Sequence, residues 1–568
     1  MRLRRIIRTA AVIIFLTFVL LLNAPPLKSR APTGVNVILV TVDSLRADHM
    51  GCYGYHKMTT PNIDAIAEKG ALFRRAYSQS AWTFPGLMSI LTSLQPPVHQ
   101  VDQRGRTLDP NIKTIFDCFR EAGYAVPNIC FLLTLPEFST IRVGPVEEKY
   151  FHGGDGEEIF HWLDENRESK FFLWYHYREV HLPYKPKEGS RSMYFPILPA
   201  DSELSPGIKA VLSETAVAPV GTVKFEEADM PIIKGLYDAE VREFDSFFAR
   251  LYARLQKYGL LKKTLIVVTA DHGEELMDHG FVGHASTMHS ATLYDEVMRI
   301  PLIMSWSDYL PPCEIREQIQ QVDIMPTILE IVGIPVPSGV QGRSLAPMIF
   351  DTRKRNESSV PVFAETIYGG FQADEEMAKT RLRCVRTDAW KLIETDTPEA
   401  KTFQLFDLLT DPKEIRNVFD ENTQTSAALR TLLLEWRREN MARKGAIVDA
   451  GGTVPRGDSF PACPQMLFPY DGVVLRYQER NGTIRASWVG SPNSSYVIEY
   501  DIGQGVHHLS GSFVTFGNER IFGPYSREIW SALAARNPWR IRVSPDTNPR
   551  CWSEWVQLEF EHENGRTH

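Results

Sequence analysis

Two apolar runs that end in metal-ligand residues constrain this chain more than any other feature. The run 36–42 is followed directly by Asp43, and the run 265–270 is followed by Asp271 and His272. Continuous apolar runs of this length are typical of strands that are buried on both faces of a parallel sheet. The carboxyl ends of parallel strands meet at one edge of a sheet, where α/β enzymes place their chemistry. We therefore expect these three side chains to converge and to hold a divalent ion.

Alternating strand and helix patterns predict the architecture around these two runs. Further buried strands are predicted over 171–177 and 301–306, and helices over 112–122, 157–168 and 231–259. In the longest of these helices, apolar residues recur at the spacing of one helical face. Strands that alternate with helices favour a doubly wound, mostly parallel α/β sheet with helices on both faces.

A hydroxyl group lies between the two metal-ligand clusters in the sequence. Thr83 belongs to the segment 80–85, and a helix-like segment follows over 86–93. A divalent ion at the sheet edge can activate a hydroxyl for nucleophilic attack. Thr83 is therefore the candidate nucleophile. The alternative is that it only caps the helix after it, which is a common role of threonine.

Longer motifs around these residues carry a resemblance to a known family. They read VDSLRADHMGCYGY at 42–55, WTFPGLMSILTS at 82–93, DHGEELMDHG at 271–280 and LYDEVMRIPLI at 293–303. In this order they resemble the sulfatase family of the alkaline phosphatase superfamily, and smaller matches extend the resemblance over about 35–418. The resemblance implies the α/β fold predicted above and a sulfatase-like catalytic domain over 35–448.

The resemblance also implies which residues would hold the ion. Asp43, Asp271 and His272 match family ligands, Thr83 stands at the position of the family's catalytic residue, and Ser44 replaces a second ligand aspartate. A set of oxygen ligands with one imidazole favours a single calcium, magnesium or manganese ion over zinc.

Three further histidines are candidate catalytic residues. His181, in a His-x-Pro-Tyr motif, resembles a hydrogen-bond donor to the oxyanion of the substrate. His284 matches the family's Gly-His-Gly motif by its neighbours, and His289 matches it by its distance from Leu293. One of these two is expected to approach the leaving group or the ion. The family's Lys-x-His element has no counterpart in 127–133.

The match at Thr83 departs from the family in a way that changes the expected chemistry. Sulfatases oxidise a Cys or Ser at this position to formylglycine, and an arginine stabilises the product at the position that Leu87 occupies here. A threonine cannot become this aldehyde because its β-carbon bears a methyl group. We therefore expect no formylglycine. The expected activity is that of a hydrolase or transferase that prefers phosphodiesters or phosphonate esters to sulfate esters.

Two alternatives stay open at this point. One is a sulfuric ester hydrolase that acts without formylglycine, and the other is a catalytically silent relative that binds an anionic glycan or lipid. The presence of Asp43, Thr83, Asp271 and His272 together favours an enzyme acting on a small-molecule, glycan or lipid ester. The net charge of −8 provides no basic field for nucleic acid, which is not expected as a partner.

The N-terminus predicts export. Four arginines within the first eight residues precede an apolar stretch over 10–22, which is the pattern of a signal peptide or a signal anchor over 1–34. An anchor would attach the protein to the membrane through this segment, whereas a cleaved peptide would release it into the periplasm or the extracellular space.

Two other regions are predicted from their composition. Residues 187–229 have little periodicity and contain several Pro, Gly and Ser residues, which indicates an insertion that serves as a specificity loop. Residues 460–562 contain short alternating runs separated by Gly, Pro and Asn, which favour a small all-β sandwich. This second domain resembles a fibronectin type III domain.

Overall fold

The computed structural model describes most of the chain in two compact units, with the boundary between Asn440 and Met441. The described residues of the first unit and of its last helix are 34–143, 156–195, 204–213, 222–285, 290–355 and 359–449. The described residues of the second unit's β region are 466–468, 473–475, 484–488, 495–502, 509–516, 519–522, 539–545 and 556–560.

The strands of the first unit form a central sheet, a second sheet and a small hairpin. In chain order they are β1 (Asn36–Val42), β2 (Ala71–Tyr77), β3 (Phe172–Tyr177), β4 (Thr264–Ala270), β5 (Glu275–Leu276), β6 (Val282–Gly283), β7 (Arg299–Ser305), β8 (Cys313–Gln320), β9 (Val362–Ile367), β10 (Arg381–Arg386), β11 (Trp390–Asp396) and β12 (Lys401–Asp407).

The α-helices that accompany these strands are mostly short. In chain order they are α1 (Pro61–Ala67), α2 (Thr83–Thr92), α3 (Pro96–His99), α4 (Ile115–Glu121), α5 (Glu157–Asn166), α6 (Glu188–Tyr194), α7 (Pro206–Val211), α8 (Met230–Lys257), α9 (Asp295–Met298), α10 (Ile324–Val332), α11 (Ala346–Phe350) and α12 (Thr423–Asp449). Two 3₁₀ turns, Phe131–Thr134 and Pro136–Phe138, also lie near the site described below.

The central sheet has the predicted mixed α/β architecture. Its six strands run in the order β3-β1-β4-β7-β2-β8, and only β7 is antiparallel to its neighbours. Every residue of β1 and β4 is buried, so other elements cover both faces of the sheet at its centre. The prediction of a mostly parallel α/β fold is confirmed.

The register of the central strands places the predicted ligands side by side. Val42, the last residue of β1, is paired with Ala270 on one side and with Tyr177 on the other. Asp43 and Asp271 each follow directly, so their backbones leave the sheet at the same level.

The second sheet is antiparallel, in the order β12-β11-β10-β9. Leucines on the inner face of α12, together with Trp436, pack on its apolar face. The Trp436 ring stacks on Phe363 with 5.3 Å between the ring centroids. This sheet extends the first unit beyond the central strands.

The second unit is built from β13 (Met466–Phe468), β14 (Val473–Leu475), β15 (Ile484–Trp488), β16 (Ser495–Ile502), β17 (Leu509–Phe516), β18 (Glu519–Phe522), β19 (Trp539–Pro545) and β20 (Val556–Phe560). They form two sheets, β13-β15-β18 and β14-β20-β19-β16-β17, in which all described pairs except β14–β20 are antiparallel. A separate β region is thus present, and its assignment as a fibronectin type III-like sandwich over 460–562 stays a prediction.

Several sequence predictions fall wholly or partly outside the described residues. Residues 1–33, which carry the predicted signal or anchor, are outside them, as are 196–203 and 214–221 of the predicted specificity loop. The described parts of that loop include α6 and α7. Among the helices that the structure describes, none is long and apolar enough to cross a membrane.

A close approach of α2 to the end of β4 leads to a stability prediction. A Cβ atom at Gly86 would lie 2.6 Å from the carbonyl oxygen of Asp271. We expect Gly86→Ala to lower the free energy of unfolding by about 1–3 kcal/mol, because backbone rather than a mobile side chain must give way. Denaturant unfolding measures the change.

Gly189 is the matched control, because it also lies in a helix and a Cβ atom there would meet nothing within 4 Å. Gly189→Ala should leave stability unchanged or raise it by up to about 1 kcal/mol. Equal effects of the two substitutions would contradict the tight packing at Gly86.

Candidate active site and metal centre

Three predicted ligands converge at the carboxyl ends of the adjacent strands β1 and β4. Asp43, Asp271 and His272 each offer a ligand atom, and these atoms lie within 4.8 Å of one another. All three residues are buried. The local order of the chain explains the convergence, because each residue is the first or second after a fully buried strand.

Ser44 shapes the turn that carries Asp43 away from the sheet. Its φ of 59° lies in the left-handed region, which few residues other than glycine adopt. Its N–H donates to Asp271 Oδ1 at 3.2 Å, and its hydroxyl donates to Asp43 Oδ1 at 3.2 Å. The carbonyl oxygen of Ser44 accepts from the Tyr237 hydroxyl at 2.7 Å. Ser44 therefore orients both carboxylates, and its role as a further metal ligand stays a prediction.

The hydrogen bonds of His272 fix which ring nitrogen carries a lone pair. Its Nδ1 lies 2.8 Å from the carbonyl oxygen of Gly273, which can only accept, so Nδ1 is the protonated nitrogen. Burial lowers the pKa of His272, although the charge on Asp43 opposes this effect. In a neutral ring the lone pair is then on Nε2, which faces the carboxylates, 3.6 Å from Asp43 Oδ1 and 3.4 Å from Asp271 Oδ2.

Thr83 lies at the start of α2, beside this nitrogen. Its Oγ1 is 3.4 Å from His272 Nε2. The N-cap residue of α2 is Trp82, and its side chain makes no capping hydrogen bond. The alternative that Thr83 caps the helix as its N-cap residue is therefore wrong. The first N–H groups of a helix favour a bound anion, so the hydroxyl stands where an anionic ester would be stabilised.

His176 is a site residue that the sequence analysis missed. It lies in β3, inside a run predicted only as a buried strand, and its Nε2 is 3.3 Å from Asp43 Oδ2. The Trp174 indole donates to Thr41 Oγ1 at 3.0 Å, and that hydroxyl lies 2.9 Å from His176 Nδ1. The network assigns an N–H to Nε2, which donates to Asp43. The only sequence signal was a histidine within an apolar run, and its meaning depends on the β1–β3 register.

His284 lies at the site and is held there by a second missed residue, Glu274. Glu274 Oε1 is 2.8 Å from His284 Nδ1, and Glu274 Oε2 accepts from the Tyr184 hydroxyl at 3.3 Å. The His284 ring centroid lies 4.3 Å from that of His272. The alternative residue, His289, lies outside the described residues, so the choice between the two stays a prediction.

A pocket of about 510 Å³ opens onto Thr83 and Asp43. His181 forms part of its wall, and its ring centroid lies 4.9 Å from that of His284. One set of lining residues is aromatic or aliphatic and the other is charged. The lining residues besides these three are Trp82, Phe84, Phe131, Leu132, Leu135, Arg178, Glu179, Leu182, Pro183, Lys185, Lys187, Glu240, Glu243 and Phe371.

The two aspartates experience opposite electrostatic effects. Burial alone would raise the pKa of Asp43, but His181, His176 and His272 together hold that pKa well below its ordinary value. Burial, and then the charge on Asp43, raise the pKa of Asp271 well above its ordinary value. Two buried carboxyl groups this close repel each other when both are ionised.

The donor set fits a divalent cation. Asp271 Oδ2 is buried and accepts no hydrogen bond from any residue that the structure describes. A cation between the carboxylates would satisfy this oxygen, use the His272 lone pair and remove the repulsion between Asp43 and Asp271. Carboxylate oxygens with one imidazole are a suitable set for calcium, magnesium or manganese.

Two family descriptions match the first unit. Residues 35–129 and 155–334 match the family described as Sulfatase, and residues 283–439 match the one described as N-sulphoglucosamine sulphohydrolase, C-terminal.

Curated relatives and solved structures agree with these matches. Arylsulfatase K of Rattus norvegicus is 24% identical over 439 residues, which cover 69% of this chain and 76% of the relative. An N-acetylglucosamine-6-O-sulfatase of Bacteroides thetaiotaomicron is 23% identical over 495 residues, or 71% of this chain and 86% of the relative. The phosphonate monoester hydrolase of Agrobacterium radiobacter has a similar fold, with a TM-score of 0.59 at 19% identity, over 72% of this chain and 96% of that one.

Ion-dependent stability tests the metal centre. An ion present at about 100 times its dissociation constant should raise the free energy of unfolding by about 2.7 kcal/mol. We expect calcium, magnesium or manganese to raise the melting temperature of the native protein, and Asp271→Asn to abolish that increase. Glu296→Gln is the control, because Glu296 belongs to another described cluster of acidic and histidine residues. An unchanged melting temperature after chelation would contradict the metal centre.

The similarities cover the same part of the chain as the site. The matched residues include β1, α2, β4 and the loops that carry Asp43, Thr83, Asp271 and His272. The resemblance seen in the motifs is confirmed by the family match and by relatives that align along most of their own length. The chain belongs to the sulfatase family and is a sulfatase-like ester hydrolase.

Proposed function

We propose that the protein is a metal-dependent hydrolase or transferase that uses Thr83 as its nucleophile and prefers phosphodiesters or phosphonate monoesters to sulfate esters. One observation carries the proposal: Thr83 Oγ1 lies 3.4 Å from His272 Nε2, at the mouth of a buried acidic cluster and on the wall of a pocket. The route implied by the family resemblance, in which a hydroxyl of a hydrated aldehyde attacks the ester, is closed to a threonine.

The roles of the residues follow from their positions. Asp43, Asp271 and His272 would hold a divalent ion, which when bound lowers the pKa of a nearby hydroxyl and offsets the negative charge of the ester. Thr83 Oγ1 attacks the phosphorus, loses its proton to water in the pocket and becomes esterified as the leaving group departs. Water or an acceptor alcohol then attacks the same phosphorus and restores the hydroxyl.

The histidines complete the oxyanion side of the site. His181 lines the pocket close to Asp43. Its Nδ1 donates to the carbonyl oxygen of Leu182, so Nε2 would donate to an ester oxygen when the ring is protonated. His284 is oriented by Glu274 and lies between His181 and His272. His176 holds Asp43 in place from behind the site, so it positions a ligand rather than the substrate.

The walls of the pocket support an ester with an organic group and an anionic centre. Phe84, Phe131 and Phe371 supply an aromatic surface, and Arg178 and Lys187 supply positive charge. Charged donors of this kind bind phosphate and phosphonate oxygens. One of the similar solved structures is that of a phosphonate monoester hydrolase, whose name gives the class of ester proposed here, while others are sulfatases.

Sulfate ester hydrolysis without formylglycine is the second candidate. The names of the curated relatives favour it, since they are an arylsulfatase and a sulfatase that acts on an N-acetylglucosamine 6-O position. A sulfated sugar would also fit a pocket of about 510 Å³. The silent alternative is disfavoured because the pocket reaches both Thr83 and Asp43.

The N-terminal pattern supports export as part of the same proposal. Arginines followed by the apolar stretch 10–22 favour passage to or across a membrane. Cell fractionation of the full chain should find it in the membrane or exported fraction, and N-terminal sequencing separates an anchor from a cleaved peptide. Full-length protein free in the cytoplasm would contradict export.

A substrate panel tests the nucleophile and the preference together. We expect higher kcat/KM for an aryl phosphodiester or phosphonate monoester than for an aryl phosphomonoester or an aryl sulfate. Thr83→Ala should lower kcat by about a thousandfold or more, because the attacking atom is lost. Thr83→Ser is the matched control, since it keeps the hydroxyl and should keep most of the activity.

The opposite pattern would refute the proposal. If aryl sulfate is the best substrate and its hydrolysis survives Thr83→Ala, neither the preference nor the nucleophile stands. Mass spectrometry of acid-quenched native protein adds a second test, because a phosphoryl or phosphonyl group should be found on the peptide that contains Thr83.

A further inference from the structure

Glu240 is a buried acid in the substrate pocket that the proposed nucleophilic step leaves unused. It lies on α8, its exposed fraction is 3%, and it lines the same pocket as Thr83 and Asp43. Its Oε1 accepts a hydrogen bond from the backbone N–H of Lys185 at 2.6 Å. No residue in the described part of the chain forms a hydrogen bond with Oε2. One oxygen is therefore anchored, and the other is available to a bound molecule.

The surroundings of Glu240 keep it protonated. Burial has the largest effect, followed by the charge of Glu243 on the next turn of α8, and the pKa of Glu240 rises to about 9. Glu179 adds to the rise, whereas the Lys185 N–H and the charge on Lys187 oppose it. These groups come from α8 and from the loop after β3, which are the elements that face the carboxyl group. At neutral pH Glu240 is a neutral carboxylic acid with a proton to donate.

A proton donor is needed on the leaving-group side of the ester. As Thr83 attacks, negative charge develops on the oxygen that departs, and an alkoxide is a poor leaving group unless it is protonated. His272 is not placed to supply this proton, because its Nδ1–H is donated to the Gly273 carbonyl oxygen and its Nε2 faces the two carboxylates. Asp43 accepts hydrogen bonds from the Ser44 hydroxyl and from His176 and would hold the ion, so it is not the donor either.

We propose that Glu240 is the general acid that protonates the leaving-group oxygen. This inference rests on the proposed function, in which Thr83 is the nucleophile. In the step, a bond forms between Thr83 Oγ1 and phosphorus, and the bond between phosphorus and the leaving oxygen breaks. The proton on Glu240 passes to that oxygen, so the product leaves as a neutral alcohol. Glu240 is left as a carboxylate and recovers a proton from water before the next turnover.

The test uses two phosphonate or phosphodiester substrates that differ only in the leaving group. A 4-nitrophenolate leaves readily without a proton, whereas a simple alkoxide does not. Glu240→Gln should lower kcat for the alkyl ester by about a hundredfold or more, the usual contribution of a general acid, and should change kcat for the 4-nitrophenyl ester less than about threefold. Glutamine keeps a carbonyl oxygen for the Lys185 N–H, so the loop anchor is preserved.

The pH profile gives a second and independent readout. With the alkyl ester, the native enzyme should lose activity as the pH rises through about 9, since Glu240 then loses its proton. Glu240→Gln should lack this alkaline limb. Glu243→Gln removes a neighbouring negative charge, so the pKa of Glu240 falls and the limb should move to lower pH. If activity on the alkyl ester falls at the same pH in both variants as in the native enzyme, the proposal is overturned. The Glu243→Gln result decides this even if Glu240→Gln folds poorly.

The outcomes separate this inference from the proposed function. Thr83→Ala should abolish hydrolysis of both esters, whereas Glu240→Gln should affect only the alkyl ester. If Glu240→Gln slows both esters equally, Glu240 only anchors the loop at Lys185, and the general acid is another group. If it slows neither, Glu240 takes no part in the reaction. If Thr83→Ala is active on both esters, the nucleophile is wrong, and the leaving-group dependence still reports on Glu240.

Discussion

The parallel pairing of β1 with β4 is the constraint on which the site depends. Because Val42 and Ala270 are partners in the sheet, Asp43 and Asp271 must emerge next to each other in a buried environment. Two adjacent buried carboxylates are costly, and the repulsion is relieved only by hydrogen bonds, protonation or a cation. The backbone N–H groups of Ser44 and His272 both donate to Asp271 Oδ1, at 3.2 and 2.9 Å, and leave its other oxygen for a cation. A cation bound between the two carboxylates would relieve this repulsion.

A buried arginine fastens the loops that carry these carboxylates. Arg46 donates to Asp48 at 2.8 Å and to Asp278 at 2.6 Å, and also to the carbonyl oxygen of Glu274 at 3.0 Å. It thereby connects the loop after β1 to the segment after β4. Buried ion pairs of this kind are weak evidence of net stability, because the cost of burying the guanidinium opposes the electrostatic gain. In this protein the ion pair of Arg46 with Asp278 holds the loop after β1 close to the segment after β4. Moving the candidate ligands on these two segments apart would separate buried charges.

The sequence predicted those parts of the site that are local in the chain. Asp43, Asp271 and His272 follow apolar runs, so their convergence required only the rule that parallel strands end at one edge. His176 could not be found in this way, because its contact with Asp43 depends on the β1–β3 register and on Thr41. The role of Glu274 was hidden for the same reason, since its partner His284 belongs to a different loop.

The helix predicted over 86–93 in fact begins at Thr83, so the Thr83 hydroxyl lies in the first turn of the helix and not at its N-cap. The strands β9–β11 are buried at most positions but lack a uniform apolar run, because buried charged residues such as Glu365, Arg383 and Lys391 interrupt them.

Acid–base function in this pocket follows from the unequal environments of its carboxyl groups. Asp43 lies among three histidines, and their combined effect exceeds the cost of burial, so it remains an anion at the metal side. Glu240 is equally buried but faces another glutamate, so its proton is retained. Groups of one chemical type that are driven to opposite protonation states can act as ligand and acid in a single reaction. The pocket therefore has a negatively charged side at the end of β1 and a protonated carboxyl group on α8. The side chains that surround each carboxyl group, from the loop after β3 and from α8, determine this difference. In the proposed reaction, this arrangement would place the phosphorus of the ester toward Thr83 and its leaving oxygen toward Glu240.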